Sequence, residues 1–78
     1  MTPTLTVLSR PDCELCEHLG LALQQHLQGR ATLVWRDVDE REDWQRRYGL
    51  KIPVVLDANG LMLMSGAFDA ARLPPALR

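Results

Sequence analysis

The stretch Leu5-Thr6-Val7-Leu8-Ser9-Arg10-Pro11-Asp12-Cys13-Glu14-Leu15-Cys16 decides how this chain is read. Its first four residues form a short apolar strand. Ser9-Arg10-Pro11 stops that strand, because proline brings no N–H to a ladder and turns the chain. Asp12 is placed to cap a helix by accepting a backbone N–H two or three residues on. Cys13 and Cys16 are the only cysteines of the chain. They fall on the first helical turn, where unpaired N–H groups and the positive end of the helix dipole favour a thiolate. Thiols at that spacing can reach each other and close a disulfide. A C-x-x-C between a strand and a helix reads as a redox-active dithiol.

The rest of the chain extends this opening. From Cys13 the apolar positions Leu15, Leu19, Ala22, Leu23 and Leu27 recur at helical spacing, and Gly29 is a natural stop. Thr32-Leu33-Val34-Trp35 reads as a second strand, which makes β-α-β with an expected parallel pair. Asp39 and Glu42 have capping-box spacing and predict a second helix. That helix carries Glu42 and Asp43 early and Arg46 and Arg47 late, matching the dipole at both ends. Trp44 and Tyr48 share its inner face, and Gly49 fits the position after its end. Ile52-Pro53-Val54-Val55-Leu56 is a third strand with proline at its start, where a missing N–H is tolerable. Asn59-Gly60 predicts a hairpin into Leu61-Met62-Leu63-Met64. Ser65-Gly66 ends that strand, and Asp69 is placed to cap a last short helix that Pro74-Pro75 interrupts. The order is β-α-β-α-β-β-α, an α/β arrangement without repeat or linker, and residues 1–78 are expected to form a single domain.

Composition narrows the function. The 78 residues are 46% hydrophobic, enough for one small core, and nine basic against ten acidic residues leave a formal charge of −1. With no long basic run and one Phe and one Tyr, nucleic acid is not an expected partner. No apolar run approaches the roughly 20 residues of a membrane span. Met1-Thr2-Pro3-Thr4 lacks the charged start of a leader. A cytoplasmic protein is the expectation, and there a C-x-x-C is catalytic or metal-binding more often than a staple. Zinc would need two further ligands. His18 is too close to Cys16 and His26 lies about two turns on, so no metal is expected.

The dithiol at the first strand–helix junction, Ile52-Pro53 before the third strand and Gly66 in the turn before the last segment together resemble a glutaredoxin. More narrowly, Val7-Leu8-Ser9-Arg10-Pro11-Asp12-Cys13-Glu14-Leu15-Cys16 is similar to the opening of short bacterial glutaredoxin-like proteins. The resemblance covers nearly the whole chain. It implies a thioredoxin-like fold with a four-stranded mixed sheet flanked by helices, and a cis Pro53 beside the dithiol. It further implies that the backbone at Ile52 and Pro53 pairs with substrate. Of the turn that holds the γ-glutamyl end of glutathione in glutaredoxins, Gly66 and Asp69 match.

These features predict a thiol–disulfide oxidoreductase. Cys13, nearer the helix end, is the attacking thiolate, and Cys16, one turn inside, is the resolving thiol. No bound cofactor is expected. Glutathione is a candidate co-substrate, and the expected partner is a disulfide-containing protein or a glutathione mixed disulfide, met by a monomer. Asp12, Glu14 and Glu17 crowd the dithiol against the single nearby Arg10. Carboxylates beside a thiol disfavour its anion, so the pair is expected to be a reductant rather than a strong oxidant. The alternative is a thioredoxin-fold binding or scaffold protein with an incidental dithiol, using Trp35, Trp44 and Tyr48 as an exposed patch.

Overall fold

The computed structural model describes residues 2–78, so Met1 of the expected domain lies outside the described residues. Strand β1 (Thr4–Ser9) leads to helix α1 (Glu14–Leu27) and strand β2 (Thr32–Asp37). A 3-10 turn at Val38–Glu40 precedes helix α2 (Glu42–Tyr48), strand β3 (Val54–Leu56) and strand β4 (Met62–Ser65). The chain closes with 3-10 turns at Ala70–Arg72 and Pro75–Leu77. The four strands form one sheet in the order β2-β1-β3-β4. β1 is parallel to β2, with Val7 beside Trp35, and antiparallel to β3, with Leu8 beside Val54. β4 returns antiparallel to β3. This is the mixed four-stranded sheet that the resemblance implies.

Alternation along β1 sends Leu5 and Val7 to one face of the sheet and Leu8 to the other. On the first face, Leu19, Leu23 and Leu27 of α1 close over Leu5, Val7, Val55 and Met64, and Leu73 and Leu77 of the closing turns complete the cluster. On the second, Trp44 and Tyr48 of α2, with Ile52, cover Leu8, Val38, Val54 and Leu56. Trp35 lies on the α1 face, across Gly20, where any Cβ would collide with the indole. That contact explains a glycine mid-helix, where it costs about 1 kcal/mol against alanine.

Several local expectations are corrected. Cys13, not Asp12, is the N-cap of α1. Asp12 instead takes the left-handed conformation, at φ 59°, which Asp tolerates better than most residues. The capping box sits two residues earlier than expected: Asp37 and Glu40 close it around the 3-10 turn, and α2 starts after Arg41 without a side-chain cap. α1 ends on Gln28 in the left-handed region, one residue before Gly29. The last helix is reduced to two 3-10 turns, the first capped by Asp69 and the second opening on Pro75. Pro74 and Pro75, with no N–H to give, prevent the two from joining. Gly49 keeps ordinary helical angles, so its lack of a side chain answers crowding rather than handedness: a Cβ would meet the Gln45 carbonyl at 2.5 Å.

Candidate active site

The end of the sheet at which β1 stops gathers the expected residues. Ser9 pairs with Asp37 of β2 and Leu8 with Val54 of β3, so Pro53 lies beside the point where the loop to Cys13 departs. The Ile52–Pro53 bond is cis and Pro53 is buried. The Gly66 N–H donates to the Pro53 carbonyl at 2.8 Å, and the Ser65 hydroxyl donates to the Lys51 carbonyl. These two bonds bring the Ser65-Gly66 turn to the same end. Gly66 has φ +83°, a conformation that glycine alone enters without cost.

Cys13 and Cys16 are joined by a disulfide, with 5.2 Å between their Cα atoms. As N-cap, Cys13 accepts the Cys16 N–H on its sulfur at 3.2 Å. The geometry separates the two sulfurs by access: Cys13 is half-buried, whereas Cys16 is 1% exposed and belongs to the buried stripe of α1. In the reduced dithiol, the same helix end would offer its N–H groups to a Cys13 thiolate.

Arg10 does not serve the dithiol. Its Nε and Nη2 donate to Asp39 Oδ2 and Oδ1 at 2.8 and 3.0 Å, and Nη1 donates to the Gly49 carbonyl at 2.7 Å. Gln45 adds a further donor to Asp39. The hydrogen bond from Arg10 holds the Asp39 carboxyl below the usual aspartate range, and Asp39 in turn raises Arg10. The guanidinium thus clasps the loop before the dithiol to the C-terminal end of α2. This long-range fork-to-carboxylate pair carries no signal in a single sequence.

Leu15, read from its spacing as an inward position, is 60% exposed. Leu15 instead borders an open groove of about 280 Å³ with His18, Leu19, Gly66, Ala67 and Phe68. Phe68 was not singled out by the sequence. Its place just after the Gly66 turn is the signal that could have found it. Phe68 is held by His26, whose ring lies 5.3 Å away and whose Nε2–H donates to the Leu77 carbonyl at 3.0 Å. His26 is therefore half-buried and engaged.

The other expected substrate contacts are distributed as follows. The Ile52 side chain packs against the α2-side core, while its main-chain N–H and C=O have no hydrogen-bond partner among the described residues. Asp69 accepts the Ala71 N–H at 3.0 Å and stands 3.9 Å from Arg72, so its carboxylate is committed to the closing turn. Trp35 lies on the α1 face and Trp44 and Tyr48 on the other, so the three do not form one patch. Among the described residues no cluster of His, Cys, Asp and Glu could hold a metal ion, and no helix is long and apolar enough to cross a membrane.

A C-x-x-C disulfide at a helix start, at the same end of a four-stranded mixed sheet as a cis-proline, defines a thioredoxin-like redox-type site. The chain belongs to the family described as Glutaredoxin-like domain (DUF836), whose model matches residues 4–78. Solved structures agree. The X-ray structure of the structural-genomics target protein XcR50 from X. campestris is 28% identical, with 87% of each chain covered and a TM-score of 0.67. The solution structure of protein Ne2328 from Nitrosomonas europaea covers all of this chain and 94% of its own, at 24% identity and a TM-score of 0.86. A malarial protein is similar in fold at 20% identity, 87% and 82% coverage and a TM-score of 0.53. Among curated proteins none matches.

Proposed function

We propose that this protein is a cytoplasmic thiol–disulfide oxidoreductase working by dithiol–disulfide exchange. The observation that carries the reading is the Cys13–Cys16 disulfide at the start of α1, with one sulfur accessible and the other buried. In the reduced protein the Cys13 thiolate attacks one sulfur of a substrate disulfide. The substrate S–S bond breaks, one thiolate leaves, and a Cys13–substrate disulfide forms. Cys16 then attacks the Cys13 sulfur, its proton passing to the departing substrate sulfur, and expels the second half of the substrate as a thiol. The substrate gains two electrons, and the protein returns to the intramolecular disulfide until an external thiol reduces it. The unpaired main-chain groups of Ile52 beside buried Pro53 offer an extended substrate a place to pair, with the Gly66 turn held alongside by its bond to the Pro53 carbonyl. Glutathione is a candidate for the external thiol.

The experiment is trapping. Reduced Cys16→Ser protein treated with hydroxyethyl disulfide should gain one adduct at Cys13 by mass spectrometry, because the resolving thiol is gone. Cys13→Ser should gain none under the same conditions, since the remaining sulfur is buried. Absence of an adduct in Cys16→Ser would remove the exchange mechanism and leave a scaffold with an incidental dithiol.

A further inference from the structure

Charge around the dithiol is lopsided. Between Pro11 and Gly29 the chain has Asp12, Glu14 and Glu17 and no Lys or Arg. All three carboxylates are exposed, and none is ion-paired among the described residues. The cations that could offset them are already taken. Arg10 is bound by Asp39, Arg36 by Glu40 at 2.8 Å, and Arg72 by Asp69 at 3.9 Å. Lys51, next to Ile52, is the one cation at this end without such a partner among the described residues, and Asp37 at the end of β2 adds a further carboxylate.

This arrangement bears on the exchange step itself. In the attack, negative charge is shared among the incoming, central and leaving sulfurs. Three neighbouring carboxylates oppose that charge, and no cation of the chain's own first helix relieves it. A positive charge brought in by the substrate would relieve it. Resting on the oxidoreductase reading above, we propose that the site selects disulfides flanked by positive charge and discriminates against anionic ones such as oxidised glutathione. The same chemistry could come from a basic protein segment or from a small amine-bearing disulfide. The apolar groove of Leu15, Leu19 and Phe68 gives a side chain next to the substrate cysteine somewhere to lie, which favours the protein segment.

The test is single-turnover oxidation of the pre-reduced protein at pH 8 by cystamine, hydroxyethyl disulfide and oxidised glutathione. Each rate is divided by that of dithiothreitol with the same disulfide, which removes differences in leaving group. Cystamine should lead and oxidised glutathione trail by about tenfold at low salt, shrinking to about twofold near 0.5 M as screening shortens. Glu14→Gln with Glu17→Gln, checked by circular dichroism for an unchanged fold, should narrow the low-salt spread by about threefold. Equal normalised rates, or glutathione disulfide in the lead, would overturn the proposal while leaving the exchange reading intact. Failure to react even with neutral hydroxyethyl disulfide would overturn that reading instead. A lysine-flanked peptide disulfide run beside cystamine separates the sources: a faster peptide assigns the site to protein segments, a faster cystamine to small amines. A peptide slower than the neutral disulfide counts against the proposal.

Discussion

The two faces of the sheet are built on different principles. The α1 face is closed by a helix of four turns whose Cys16, Leu19, Leu23 and Leu27 are all buried, and by Leu73 and Leu77 from the closing turns. The α2 face is covered by a helix of seven residues, none of them buried. Half-exposed Trp44 and Tyr48 do the covering, with Arg41 stacked 4.5 Å from the Trp44 ring and Arg10 tying the helix end to the loop. One face is held by apolar burial, the other by polar clasps around a thin apolar layer. Burial contributes more per residue than exposed ion pairs do, so the α1 face should govern global stability. The α2 face should govern local opening.

The largest effect should come from the core of the α1 face. Leu23→Ala is expected to cost about 2–5 kcal/mol in urea denaturation, because the side chain is fully buried and its cavity cannot refill. Trp44→Ala should cost about half as much, since the side chain is only partly buried. Equal losses would erase the distinction between the faces.

A smaller contrast comes from making the same change on both. Gly49→Ala pushes a methyl group against the Gln45 backbone carbonyl and towards the Arg10 guanidinium, neither of which can yield freely. It should cost about 1–3 kcal/mol. Gly20→Ala collides only with the side chain of Trp35, which is 44% exposed and must turn towards solvent to make room. Gained helix propensity of about 1 kcal/mol should leave that variant near neutral. A Gly20→Ala protein as unstable as Gly49→Ala would mean that Trp35 is locked in place.

The smallest effect should be the pH dependence of the clasp. The Asp39 carboxyl is held low by Arg10, so its contribution is fully present above the ordinary aspartate value and is lost as pH falls through its lowered folded value. Arg10 is shifted upward, so its own loss comes only at extreme alkaline pH. Tm by circular dichroism should therefore be lower in Asp39→Asn than in the parent at pH 7, with the two converging near pH 2. Part of the acid slope should remain in the variant, because Asp43, held low by Arg41, titrates in the same window. A gap that persists at pH 2 would show that Asp39 acts through packing rather than charge.

What the sequence conveyed follows the range of each interaction. Strands, α1, the cis-proline and the dithiol at the junction were legible because each is written in neighbouring residues or in the family resemblance. The capping positions were displaced by one or two residues, since Asp12 versus Cys13 and Asp37 versus Asp39 are choices that local spacing leaves nearly degenerate. The Arg10–Asp39–Gly49 clasp was not legible at all. Its members are separated by tens of residues, and Arg10 read alone looked like a cation for the thiolate. The groove beside the dithiol was half legible: Gly66 was seen, while Leu15 was assigned inward and Phe68 was missed.

The indole of Trp35 over Gly20 also has an optical consequence. Gly20 lies one helical turn beyond Cys16, so this indole, carried by β2, packs against the dithiol's helix one turn from the buried cysteine. The second indole, Trp44, lies across the sheet under Arg41. A disulfide quenches a nearby excited indole, so the molecule carries its own redox reporter and its own internal reference, and fluorescence can follow oxidation of the dithiol without any added dye.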